Sequence, residues 1–298
     1  REMDPRLKRL LLADCLARWA EGIPRVFVVL YVLDVLGLSP LAFGWLIVLQ
    51  RVTNVVVYLP LAPLSDRMNR KPFVLPPHTA LARVRDRLPT ESPLLLGAQN
   101  AHWAAEGSWT GEISMRMAKD AGATLIEIGH SERREHFGET DRTVALKVAA
   151  TIAHGLIPLV CVGEPSSVRD SGGAEDFVRA QVQSALSEVA PAETAQVIIA
   201  YEPIWAIGEH GTPARVDQVA GVMALINEVV TTVGASAQAV LYGGSVSARN
   251  AAELLSDPNT HGLFIGRAAW EASGFINILK LCSVLDETGA GQPTLEVP

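Results

Sequence analysis

The chain has 298 residues, enough for two average domains or for one (β/α)8 barrel with an added segment. Hydrophobic residues make up 49%, and the three cysteines, Cys15, Cys161 and Cys282, lie far apart with no C-x-x-C spacing. A disordered tail and a disulfide-stapled miniprotein are thereby excluded, neither a disulfide framework nor a zinc site is suggested, and a reducing compartment is the default. The net charge of −7 hides an asymmetry, because residues 1–73 carry ten basic and six acidic side chains while the remainder is acid-rich. That balance argues against an extended nucleic-acid surface on residues 74–298.

Between Val26 and Leu64 the charged side chains are Asp34 and Arg51 alone, and Gly37-Leu38-Ser39-Pro40 divides the run. Each piece approaches the roughly 20 apolar residues that a membrane-spanning helix needs. Asp14, Arg18, Glu21 and Arg25 fall on one helical face with alternating sign, so a soluble amphipathic helix with a salt-bridged outer face is the alternative for the first piece. Leu64, Asp66, Arg67, Arg70 and Lys71 match the loop after the second helix of major facilitator superfamily transporters, with Ala62 and Asn69 in place of glycines. Residues 1–73 therefore resemble the first two helices of that family, a fragment and not a transporter. Basic residues before and after the pair place both ends in the cytoplasm. The expectation is a cytoplasmic protein with membrane association through residues 10–64 and no cleavable signal peptide.

From Phe73 the pattern changes to short apolar runs: Phe73–Leu75, Leu94–Ala98, Thr124–Ile128, Ile157–Val162, Val197–Tyr201, Ala239–Tyr242 and Gly262–Ile265. Helical stretches rich in Ala, Leu, Glu and Arg separate most of them, which is the signature of βα units around a parallel sheet. Polar residues follow many of the runs: Gln99-Asn100, His130-Ser131-Glu132, Glu164, Glu202 and Ser245. Such positions assemble the active site of a (β/α)8 barrel. A barrel needs eight strands, and seven are found; an open doubly wound sheet is the alternative.

The strand-end motifs are Pro76-Pro77-His78-Thr79-Ala80-Leu81, Gly97-Ala98-Gln99-Asn100-Ala101-His102-Trp103, Thr110-Gly111-Glu112-Ile113-Ser114, Gly129-His130-Ser131-Glu132-Arg133-Arg134, Tyr201-Glu202-Pro203-Ile204-Trp205-Ala206-Ile207-Gly208 and Tyr242-Gly243-Gly244-Ser245. In this order, from about residue 74 to 280, they resemble the triosephosphate isomerase family. The resemblance implies an α/β fold, a TIM barrel lacking its own first βα unit, over residues 74–298. It also implies ketose–aldose interconversion of glycerone phosphate and glyceraldehyde 3-phosphate through an enediolate, with a tetrulose phosphate such as erythrulose phosphate as the alternative. Glu202 matches the base, and His130 matches a neutral imidazole electrophile whose pKa a helix N-terminus lowers, the arrangement for which this family is a standard example. Ser131 and Glu132 support the oxyanion, and Pro203, Ile204, Trp205, Ala206 and Ile207 begin a lid over residues 203–214. Gly208, Ser245, Gly266 and Arg267 match phosphate-binding positions, Arg267 standing where most members have a glycine.

The family's first strand ends in Asn-x-Lys, and none of the five lysines here, Lys8, Lys71, Lys119, Lys147 and Lys280, has that context. Removing a fixed charge beside a developing oxyanion costs about 10²- to 10³-fold in rate. Val26–Leu33 and Val55–Leu59 are β-branched runs suited to a surrogate strand, and neither brings a lysine. An active isomerase, an inactive membrane-tethered fusion and a phosphate-binding module that has lost its chemistry all remain open. The resemblance further implies a homodimer through the loop Gln99–Glu112, a small phosphorylated sugar as ligand, no nucleic-acid partner, no metal and no organic cofactor.

Overall fold

The computed structural model describes residues 72–89, 91–208, 211–234 and 236–287, with side chains as far as Cys282. All of them lie in the second of two compact units, Leu61–Pro298. The expected transporter-like helices and surrogate strands fall outside the described residues.

Seven strands alternate with helices: β1 (Phe73–Val74), α1 (Leu81–Arg85), β2 (Leu95–Ala98), α2 (Met115–Asp120), β3 (Leu125–Ile128), α3 (Ser131–His136), α4 (Asp141–Ala153), β4 (Ile157–Val162), α5 (Ser166–Asp170), α6 (Ala174–Leu186), β5 (Ile198–Tyr201), α7 (Val216–Val233), β6 (Ala239–Tyr242), α8 (Ala251–Leu254), β7 (Gly262–Leu263) and α9 (Ala272–Glu287). The strands form one parallel sheet in the order β1 to β7, the curled sheet of a TIM-type barrel. Parallel strands covered on both faces need apolar side chains on both, which is why these segments read as unbroken hydrophobic runs.

Side chains alternate between two layers along each strand. Leu125, Leu159, Cys161, Ile198, Ala200 and Leu241 pack together on the inner face, joined by Phe73, Leu75, Leu95 and Phe264. Ile126, Ile128, Val160, Ile199 and Val240 point the other way, into the layer shared with the helices. In α7, Val219, Val222, Met223, Ile226 and Val230 recur at the spacing of one helical face, and all are buried. That helix is long and apolar enough to cross a membrane, yet it packs against α6 and β6 as a barrel helix. The N-terminus of α4 is closed by Thr140, whose hydroxyl accepts a bond from the Thr143 N–H at 3.3 Å while Thr143 Oγ1 reaches back to the Thr140 N–H at 2.9 Å.

The outer edges of β1 and β7 have no partner strand among the described residues. Both strands are two residues long, shorter than the runs Phe73–Leu75 and Gly262–Ile265 from which they were expected. Among the described residues each has a ladder partner on one side alone, and Pro76 and Pro77, which lack an N–H, follow β1 after Leu75. Across the seam the rings of Phe73 and Phe264 approach to 6.2 Å between centroids, so the inner layer continues where the backbone ladder does not.

Candidate active site

The C-terminal ends of the strands open into a cleft of about 1550 Å³ that runs from the polar strand ends along the β1–β7 seam. His130, Glu132, Glu202, Ile207, Gly208, Ser245, Gly266 and Arg267, dispersed over 138 positions of sequence, all line it. Ser131 and Ile204 sit behind, beside a small secondary cavity that also touches Glu202. Pro203, Trp205 and Ala206 stand outside the lining and form the turn beneath it.

Glu202 follows β5 and is 4% exposed. Its backbone N–H donates to the Val162 carbonyl at 2.7 Å, extending the β4–β5 ladder by one bond and fixing where the side chain starts. Oε1 lies 3.4 Å from His130 Nε2, while Oε2 is buried with no hydrogen-bond partner. A Cβ on Gly243 would come within 2.7 Å of Glu202 Cγ, so glycine is what the carboxylate's position allows on the neighbouring strand end.

His130 is presented by a tight turn. Gly129 before it has φ +77°, a conformation open to glycine. The Gly129 N–H donates to Glu139 Oε1 at 3.1 Å, and its carbonyl accepts from Arg134 Nε at 2.7 Å. Glu139 is itself held by Arg133 at 2.8 Å and Lys147 at 3.1 Å, a buried charge network below the site. In its neutral form His130 caps α3 through Nδ1, which then accepts from the Glu132 N–H at 3.4 Å, leaving Nε2 toward Glu202. The expectation of a lowered imidazole pKa is not met in this ligand-free site. Burial alone lowers it, but the hydrogen bond to Glu202 and the charges of Glu202, Glu127 and Glu132 outweigh burial and hold it up at about 9. Three carboxylates exceed the dipole of one six-residue helix.

Glu164, at the end of β4, is fully buried and anchors the turn Ile204–Ala206. It accepts bonds from the Tyr201 hydroxyl at 3.0 Å, Trp205 Nε1 at 2.8 Å and Arg169 Nη1 at 3.3 Å, and the Arg169 guanidinium lies 4.3 Å over the Trp205 ring. The Ile204–Ala206 turn is therefore rigid at its base, while Gly208, at φ +79°, begins the tip. Arg267 donates to the Gly208 carbonyl, linking the segment after β7 to the segment after β5. The Ser245 N–H, expected to face phosphate, donates here to the Ala206 carbonyl at 2.9 Å and ties the end of β6 to the same turn.

The sequence profile of the triosephosphate isomerase family matches residues 55–282. The chain belongs to the triosephosphate isomerase family. The match begins inside the segment that resembles a transporter. An L-erythrulose-1-phosphate isomerase of Mesorhizobium japonicum is 54% identical over 220 residues, which cover 74% of this chain and 85% of that protein. Another of that name, from Mycolicibacterium smegmatis, is 49% identical over 213 residues, or 72% of this chain and 80% of that one. The crystal structure of triosephosphate isomerase from Bartonella henselae superimposes with a TM-score of 0.65 at 38% identity, covering 75% of this chain and 90% of that chain. Membership brings with it the isomerase class, of the aldose–ketose type.

Family motifs do not mark Glu127, which also lines the cleft. Its Oε1 lies 4.0 Å from His130 Nε2, and burial, with the charges of Glu202, Glu132 and Glu139, pushes its carboxyl up to about 8 against the pull of His130. The one signal in the sequence is an acidic residue inside the apolar run Thr124-Leu125-Ile126-Glu127-Ile128. Among the described residues no lysine lines the cleft, and its cations besides histidine are Arg133, paired with Glu139, and Arg267.

Proposed function

We propose that the chain isomerises a four-carbon ketose phosphate, L-erythrulose 1-phosphate, by proton transfer through an enediolate. The observation that carries the reading is the Glu202 carboxylate, one oxygen on His130 at 3.4 Å and the other buried and unpartnered at the base of the cleft. A carboxylate so placed takes a proton from carbon, and the imidazole beside it donates a hydrogen bond to the oxygens on which charge develops. In a tetrulose 1-phosphate the carbonyl is at C2 and C1 carries the ester, so Glu202 takes the proton from C3 and returns it to C2 while the carbonyl moves to C3. The family's enediolate chemistry is set one carbon in from the chain end, and the product is a tetrulose 4-phosphate, a ketose and not an aldose. The triose reading, which led on motifs alone, yields to the tetrulose one: the relatives at 49% to 54% identity carry the tetrulose name, whereas the Bartonella triosephosphate isomerase is 38% identical.

Phosphate sits toward Gly208, Ser245, Gly266 and Arg267. Closure of the turn that starts at Pro203 excludes water, which protects the enediolate from losing its phosphate. Arg267 supplies positive charge in a cleft where no described residue is a lysine. The assembly is a homodimer through Gln99–Glu112, where His102 stacks on Trp103 at 4.0 Å and Trp109 is 48% exposed. The test is turnover of L-erythrulose 1-phosphate beside glycerone phosphate by the full chain. The expected result is isomerisation of the tetrulose phosphate that Glu202→Gln lowers by about 10³-fold or more; a preference for glycerone phosphate, or turnover that survives Glu202→Gln, overturns the reading.

A further inference from the structure

We infer that Glu127 binds the end of the sugar that lies beyond the reacting carbons, its carboxyl group hydrogen-bonding the terminal hydroxymethyl of a four-carbon substrate. The inference rests on the tetrulose reading above and names the residue that sets the carbon-chain length.

The placement follows from β3. Leu125 belongs to the inner layer of the barrel while Ile126 and Ile128 belong to the outer one, so alternation turns Glu127 inward with Leu125. Its side chain is 9% exposed, and its one ion-pair neighbour among the described residues is His130 Nε2, at 4.0 Å and beyond hydrogen-bonding reach. A carboxyl set among apolar strand residues without a hydrogen-bonded partner opposes folding. Glu139 illustrates the contrast, since Arg133 and Lys147 hold it as structure.

The geometry of the substrate supplies the missing partner. C2 and C3 must lie against Glu202 and His130, and the phosphate lies toward the segments after β6 and β7. C4 then extends away from the phosphate, and β3 stands across the curled sheet from β7. Glu127 is adjacent to both catalytic groups on that side. A triose phosphate ends at the reacting carbon and has nothing to offer it. A carboxylic acid donates through its O–H and accepts through its C=O, which complements a hydroxyl that does the same. Burial and the neighbouring carboxylates hold Glu127 in that neutral form near pH 7.

The test is calorimetric binding to the full chain carrying Glu202→Gln, which removes turnover, with L-erythrulose 1-phosphate and glycerone phosphate as ligands. Adding Glu127→Val is expected to weaken the tetrulose phosphate about tenfold or more and glycerone phosphate less than about threefold, while Glu127→Gln, which still donates and accepts, keeps most of the preference. Retained binding of glycerone phosphate doubles as proof that the variant is folded. Equal weakening of both ligands assigns Glu127 to holding His130 and overturns the inference, as does an unchanged ratio. If the Glu202→Gln parent itself prefers glycerone phosphate or binds neither ligand, the tetrulose reading falls first and takes the inference with it.

Discussion

Replacing Glu164 by leucine should destabilise the protein by about 3–5 kcal/mol, the range for removing one member of a buried ionic cluster. The carboxylate is fully buried and accepts from three groups, Tyr201, Trp205 and Arg169. Hydrogen bonds to a charged group contribute about 1.5–3 kcal/mol each, but the three do not recover equally when it is lost. Arg169 is 26% exposed at its side chain and rehydrates, Trp205 is half-buried, and the Tyr201 hydroxyl is left orphaned inside the barrel wall. Glu164→Gln keeps an acceptor and should cost about 1–2 kcal/mol, and the cycle with Tyr201→Phe should show a coupling of about 1 kcal/mol. Urea unfolding followed by far-ultraviolet circular dichroism measures the parent and every variant, with tryptophan fluorescence reporting on the surroundings of Trp205. A Glu164→Leu variant within about 1 kcal/mol of the parent, at an unchanged urea slope, would refute the assignment of Glu164 as the anchor.

Other outcomes follow from the same site. His130 and Glu127 have folded pKa values of about 9 and about 8, above their ordinary 6.5 and 4.5, so the folded state holds more protons. The His130 contribution is fully present below 6.5 and is lost as pH rises through about 9, while ionising buried Glu127 adds a cost as pH rises from 4.5 through about 8; the unfolding free energy should fall by about 2 kcal/mol or more between about pH 6 and pH 9.5, and a flat profile would contradict the cluster. Arg267→Ala should raise KM for the sugar phosphate about tenfold with a smaller effect on kcat, as removal of a charge-assisted phosphate contact predicts. Exchanging residues 1–73 for a strand and helix bearing Asn-x-Lys should raise kcat by about 10²-fold; equal rates would mean that the lysine is dispensable here. The homodimer proposed through Gln99–Glu112 makes Trp109→Glu shift sedimentation toward monomer; an unchanged sedimentation coefficient would refute an interface there.

The sequence by itself determined the strand–helix alternation and singled out Glu202 and His130, the two side chains that the fold brings together at 3.4 Å. Seven apolar runs bounded by turn residues became seven strands, because a sheet buried on both faces leaves no other pattern available to them. Glu202 and His130 were legible because the motifs around them are long: Pro203-Ile204-Trp205-Ala206 specifies a turn, and Gly129 supplies the positive φ from which the histidine starts. What tertiary structure alone decided is charge and proximity. The imidazole was expected to be lowered by a helix dipole, which is local and visible in sequence; it is raised because Glu127 and Glu202, from two strands, converge on it. Glu127 looked like one more residue of a strand run, and only the alternation of β3 against the other six strands turns it into the cleft. The Arg267 to Gly208 bond joins residues 59 positions apart for the same reason: a barrel brings the ends of all its strands to one rim, and spacing along the chain carries no record of which ends meet there.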